Sequence, residues 1–168
     1  MIIVKMRLLF KIMCLVIIVF ALCLATLIYM ALPGQILHVH HDKNLHYYVY
    51  KSGTKVLLCT DPFCQYIESI HNIKNINELS PYTSTMMLSA IYPPKLDTIL
   101  MLGLGGGGLA TYLSRHIKEA KIDVIEIDAY IHELAKSYFN FRNNENVRTI
   151  IGYQTTIILT GFTSTLVT

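Results

Sequence analysis

The stretch Thr98-Ile-Leu-Met-Leu-Gly-Leu-Gly-Gly-Gly-Gly-Leu-Ala110 decides how this chain is read. An apolar run ends in five glycines among six residues, Gly103 to Gly108, with only Leu104 between them. Glycine lacks a Cβ and reaches positive φ, so at such a turn backbone can come very close to a ligand. An amphipathic segment begins at once, with Leu109, Tyr112, Leu113 and Ile117 on one helical face. The free N–H groups and the positive dipole end of a helix start suit anionic or strongly polar groups.

Working outward, Thr98 to Leu102 is apolar without alternation, the pattern of a buried strand. Lys121 to Ile127 reads as a second strand, and Asp128 as the cap of the helix after it, where Ile131, Leu134, Ala135 and Tyr138 share a face. Val147 to Ile151 is a third strand. Strand, helix, strand, helix, strand is the first half of a doubly wound, Rossmann-like α/β sheet. Gly103, Gly105 and Gly108 satisfy GxGxxG in the strand-to-helix setting that the motif requires. Glu126 follows Gly103 by 23 positions and sits near the end of the second strand. A carboxylate there can accept hydrogen bonds from ribose hydroxyls, so the pair favours a nucleoside-containing ligand over a merely tight turn.

The amino terminus is of a different kind. After Lys5, Arg7 and Lys11, no charged residue occurs from Ile12 to Pro33, and roughly 20 apolar residues suffice to cross a bilayer core. Residues 1–33 are therefore expected to be a membrane anchor. The competing reading is a cleaved signal, whose apolar region is about 7–15 residues long, shorter than this one. These three basic residues also account for the whole net charge of +3, because residues 34–168 hold eleven basic and eleven acidic side chains. That balance excludes a nucleic-acid surface. The positive-inside rule would put the domain outside the cytoplasm, which conflicts with a nucleotide-like cofactor, and the sequence leaves the orientation open.

Between anchor and glycine loop, residues 34–79 read as a small β region. Ile36 to Tyr50 alternates loosely, Ser52-Gly53 is a turn, and Lys55 to Cys59 is a second apolar run, together a hairpin followed by an irregular Asn-rich stretch. His38 and His40 would share a strand face, so a metal site is conceivable, but no cysteine or carboxylate pair completes one. Solvated histidines, and no metal, are the expectation. Cys59 and Cys64 flank Thr-Asp-Pro-Phe, a loop that a disulfide can close in an oxidising compartment. Two separate thiols are expected instead. Ser80-Pro81 opens a helix that should run to about Ala90 and stop before Pro93-Pro94. Tyr82, Met86 and Ala90 lie on one of its faces, and packing against the sheet accounts for them.

Ile99 to Ala110 together with Val124-Ile-Glu-Ile-Asp128 resembles the spermidine synthase (polyamine aminopropyltransferase) family, and in particular its membrane-associated bacterial relatives. The resemblance continues upstream. Leu57-Leu58 followed by Gln65 is similar to that family's small β-domain, and Tyr82 with Met86-Met87 to the helix before its glycine loop. It implies a Rossmann-like domain over residues 80–152 that binds decarboxylated S-adenosylmethionine through Gly103, Gly105, Gly108 and Glu126, with Glu126 on the ribose. Gln65 and Tyr82 would line the aminopropyl and amine region. The reaction implied is aminopropyl transfer to a small-molecule amine, in a single-pass protein of the bacterial inner membrane. A methyltransferase using S-adenosylmethionine, or a non-catalytic membrane-anchored interaction protein, are the alternatives.

The chain also departs from that pattern. Gly106 stands where many members carry an acidic residue, and Thr83 where His or Gln follows the Tyr. Gly152 is followed by Tyr153 rather than Asp, and the tail, residues 153–168, contains no acidic residue. No catalytic carboxylate is assigned. A sheet that stops after three strands, and a truncated, frameshifted or split chain with a missing carboxyl-terminal half or a second copy completing it, are the expectations this produces.

Overall fold

The computed structural model describes residues 2–42, 45–91, 95–152 and 165–167 and divides the chain into two compact units, Met1–Pro33 and Gly34–Thr168. The first unit is one helix, α1 (Ile2–Ala31). Within it Leu9–Ala31 has a mean hydropathy of 2.9 over 23 residues. At about 1.5 Å per residue that segment matches a hydrocarbon core of about 30 Å. Length and apolarity therefore permit a membrane crossing, and a signal sequence near the amino terminus meets the same criteria.

The second unit begins with a four-stranded antiparallel sheet in the order β1-β2-β3-β4: β1 (Gln35–His41), β2 (His46–Ser52), β3 (Lys55–Cys59) and β4 (Ile67–Asn72). Gly53, at positive φ, and Thr54 form the two-residue turn between β2 and β3, where Ser52 pairs with Lys55. Val49, Val56 and Leu58 face the core. The sheet is larger than the sequence suggests. The expected single strand from Ile36 to Tyr50 folds back on itself, with His41 paired to His46 and Asp42 N–H donating to the Leu45 carbonyl. The Asn-rich stretch supplies β4. Its inward positions, opposite the core-facing Val56 and Leu58, are the polar His71 and Ser69, so hydrophobic alternation does not announce it.

A further correction concerns the cysteines. Cys59 and Cys64 are joined as a disulfide with Cα atoms 5.1 Å apart, not held as two separate thiols. The turn brings them together. Asp61 accepts hydrogen bonds from the N–H groups of Phe63 and Tyr66, Cys64 N–H donates to the Asp61 carbonyl, and Tyr50 Oη donates to the Pro62 carbonyl. Cys64 takes φ 56° to finish the turn.

After this sheet come α2 (Pro81–Met86), capped by Ser80 Oγ accepting from Thr83 N–H, and a 3₁₀ turn over Met87–Ile91. The α/β half then follows the expected order: β5 (Thr98–Leu102), α3 (Gly108–His116), β6 (Lys121–Glu126), α4 (Ala129–Tyr138) and β7 (Val147–Ile151). Asp128 caps α4 through Oδ1 accepting from Tyr130 N–H. The sheet does not stop at three strands. β8 (Thr165–Val167) lies parallel to β5, pairing Leu100 with Leu166, and gives the order β7-β6-β5-β8. That is the 3-2-1-4 order of a doubly wound fold. The position after Gly152, where the sequence lacks the expected Asp, lies outside the described residues.

One buried cluster joins both halves of this unit, from Tyr47, Val49, Val56 and Leu58 to Ile99, Leu113, Val124, Phe139 and Phe141. β1 docks on α4 as well. His38 bridges the Tyr130 and Tyr138 hydroxyls at 2.5 and 3.2 Å, and His40 stacks on Tyr130 with ring centroids 3.8 Å apart. These histidines are part of the packing rather than solvated. The disulfide can be tested on unfolded, unreduced protein: iodoacetamide should label Cys14 and Cys23 alone by mass spectrometry, and labelling at all four cysteines would contradict the pairing.

Candidate functional site

The glycine loop leaves β5 with Gly103 at φ 90°, its N–H donating to the Ile125 carbonyl on the neighbouring strand at 2.8 Å. Leu104 turns into the core, and its N–H donates to Glu126 Oε2 at 2.8 Å. Glu126 Oε1 accepts from Asp128 N–H at 3.0 Å. A carboxylate only 6% exposed thus ties the loop after β5 to the turn after β6. Each hydrogen bond to a charged group of this kind is worth roughly 1.5–3 kcal/mol. A carboxylate has about four lone-pair sites, so two remain for hydroxyl donors.

Two loop glycines that the GxGxxG reading passes over are packed more tightly than the three motif glycines. A Cβ on Gly107 would come within 2.4 Å of the Phe141 ring, at a φ of 73°. A Cβ on Gly106 would lie 2.6 Å from Phe139 and 2.8 Å from Ser69 Oγ. Side chains from α4's end and from β4 therefore fill the space that glycine leaves. Gly108, the last motif glycine, meets nothing closer than His71 Nδ1 at 3.5 Å. Nothing in the motif spacing distinguishes these roles, because they depend on Phe139, Phe141 and Ser69.

Cavities open on both sides of the tie between Leu104 and Glu126. The larger, about 900 Å³, is lined by Tyr47, Glu126, Ile127, Asp128, Tyr130 and Ile151 among others. The smaller, about 200 Å³, is lined by Gly103, Gly105, Gly108, Glu68, His71 and Tyr82 among others. The predicted residues are therefore split. The three glycines and Tyr82, itself 72% exposed, border the small cavity, and Glu126 borders the large one. Gln65 stands apart, exposed on the turn before β4. Sequence reasoning missed Tyr47 and His71. Tyr47 Oη donates to Asp128 Oδ2 at 2.9 Å; burial first, then that hydrogen bond, push the phenol well above its ordinary value. Among the described residues, no group of three His, Cys, Asp or Glu is placed to hold a metal ion.

No protein-family model matches the chain. It is 33% identical over 72 residues to the polyamine aminopropyltransferase of Vibrio vulnificus, a match covering 43% of this chain and 24% of that protein. It is 32% identical over 68 residues to the eEF1A lysine and N-terminal methyltransferase homolog of Drosophila melanogaster, covering 39% and 10% respectively. The matched segment thus spans a quarter or less of each relative's length. The crystal structure of spermidine synthase from Thermotoga maritima superposes with a TM-score of 0.58 at 13% identity, over 74% of this chain and 43% of that one. At this identity the superposition shows the fold, which is spermidine synthase-like.

The contrast between adjacent glycines is measurable. Gly107→Ala should lower stability by about 2–3 kcal/mol through overpacking and backbone strain. Gly108→Ala should stay within about 0.5 kcal/mol. Denaturant unfolding of the two variants decides this, and equal costs would contradict the packing described.

Proposed function

We propose that residues 34–168 bind an adenosyl sulfonium co-substrate across the glycine loop and serve aminopropyl transfer from decarboxylated S-adenosylmethionine to an amine. The observation that carries this reading is the buried Glu126 bound to Leu104 N–H. It puts a carboxylate with spare acceptor sites in the large cavity, directly joined to the loop that lines the small one. The ribose hydroxyls would donate to Glu126, the base would lie over Ile127, and the sulfonium arm would pass the loop toward Tyr82. In the reaction an amine lone pair attacks the carbon beside sulfur, the C–S bonding pair returns to sulfur as methylthioadenosine forms, and the nitrogen sheds a proton. Rate enhancement would come mainly from holding the two partners in line.

The antiparallel sheet β1-β2-β3-β4 supports aminopropyl over methyl transfer. The spermidine synthase superposition covers 74% of the chain, more than the Rossmann-like segment 80–152 contains. Identity to an eEF1A methyltransferase homolog supports the second reading, transfer of a methyl group from S-adenosylmethionine by the same loop. For α1 we propose a single-pass membrane anchor. Calorimetry on the full chain in detergent micelles tests the co-substrate site. Methylthioadenosine should bind, and Glu126→Gln should weaken it roughly ten-fold, the value of one charge-assisted hydrogen bond. Absence of binding by the unaltered chain would overturn the reading.

A further inference from the structure

His71 is a buried side chain that no intramolecular contact explains. It stands on β4, only 4% exposed, and among the described residues neither ring nitrogen has a hydrogen-bond partner, with Nε2 wholly enclosed. Buried polar groups in folded proteins are paired, and an unpaired one calls for a ligand-related account. Orphaned buried N–H groups are rarer than orphaned acceptors, which puts the ring hydrogen on Nδ1 and leaves the enclosed Nε2 bare. Nδ1 is the atom turned to the glycine loop, 3.5 Å from where a Cβ on Gly108 would lie, and the ring lines the small cavity. His71 therefore offers that cavity a hydrogen-bond donor.

Its neighbours are donors as well. Gly108 and Leu109 open α3 and line the cavity, and their N–H groups have no acceptor within the helix. The cap residue, Gly107, has no side chain to satisfy them. A helix start of this kind favours negative charge. Burial first, and the Arg115 cation second, hold the His71 imidazole below its ordinary value, so the ring is neutral near pH 7 and the charge acting on it is positive. The two glutamates of the lining do not reverse this. Glu78 is engaged by Asn72 and Lys55. Glu68 is exposed, and it turns its backbone carbonyl to the loop, 3.7 Å from where a Cβ on Gly105 would lie. A decarboxylated sulfonium carries no anionic group, so an anion held here belongs to the other substrate. Resting on the co-substrate reading above, we propose that the small cavity is an oxyanion subsite and that the amine acceptor carries a carboxylate, held by His71 Nδ1–H and the N–H groups of Gly108 and Leu109. The unprotonated amine at the acceptor's other end attacks the carbon beside sulfur, the C–S pair leaves with methylthioadenosine, and the nitrogen's proton passes to water. A diamine would set an ammonium against the same donors instead.

The experiment is titration calorimetry of the full chain in detergent micelles, saturated with methylthioadenosine, against 4-aminobutanoate, 1-aminobutane and 1,4-diaminobutane. The amino acid should bind roughly ten-fold more tightly than either amine, the value of one hydrogen bond to a charged group. His71→Phe should erase that preference, and His71→Asn, which retains an N–H donor, should restore part of it. Nitrogen-15 spectra of histidine-labelled unaltered protein need no variant: the His71 Nδ1 resonance should move with 4-aminobutanoate and stay in place with 1,4-diaminobutane. Given decarboxylated S-adenosylmethionine and both acceptors in competition, the chain should yield the aminopropyl adduct of 4-aminobutanoate by mass spectrometry. Lack of that adduct, a resonance indifferent to the carboxylate, or a preference for the diamine would overturn the acceptor assignment while leaving the co-substrate site standing. A chain that does not bind methylthioadenosine sinks the co-substrate reading and this assignment with it.

Discussion

The hydrogen bond from Leu104 N–H to the buried Glu126 carboxylate is the contact on which the rest of the α/β half depends. It joins the end of β5 to the end of β6 where both strands release their chains into helices, and the second oxygen fixes Asp128 N–H. Asp128 in turn caps α4 and receives the Tyr47 hydroxyl from the small sheet. One carboxylate therefore sets the glycine loop, the start of α4 and a contact to β2. Removing it would leave the buried Leu104 N–H and the half-buried Asp128 N–H without their acceptor, and these two donors are what allow a charge to be kept at this depth.

The sequence was most legible where a residue's role follows from its own neighbourhood. Strands β5, β6 and β7, the cap at Ser80 and the cap at Asp128 all follow from local pattern, and each lies where that pattern puts it. Contacts between distant segments were not legible. β4 was hidden because its inward side chains are polar, and β8 because its three residues pair with β5 from far along the chain. The disulfide depended on the Asp61 turn, and the demands on Gly106 and Gly107 on rings more than thirty positions away. The candidate site divides in the same manner. Glycine spacing and Glu126 point to the loop, whereas His71 becomes visible only once β4 exists to carry it.

The two halves of the Gly34–Thr168 unit are complementary in what they bring to the loop. The α/β half supplies backbone N–H groups and one deep carboxylate, while the small sheet supplies Ser69 against Gly106 and the neutral ring of His71 against Gly108. The histidine–tyrosine contacts of β1 with α4, and the Tyr47 hydroxyl of β2 donating to Asp128, hold the sheet at its other end. The walls of both cavities are consequently drawn from both halves, and neither cavity would exist on an isolated Rossmann-like sheet.

The rings of Phe139 and Phe141 under the glycines have a consequence for entropy. A run of five glycines in six residues is ordinarily the most costly kind of backbone to order, because each has so many conformations to lose. Here the aromatic rings occupy the room that would let the loop wander, and the loop's N–H groups are anchored at Gly103, Leu104 and Gly107. The ordering cost is met when the chain folds rather than when a ligand arrives. A ligand entering between these cavities would find a backbone already shaped, and more of its contact energy would appear as affinity.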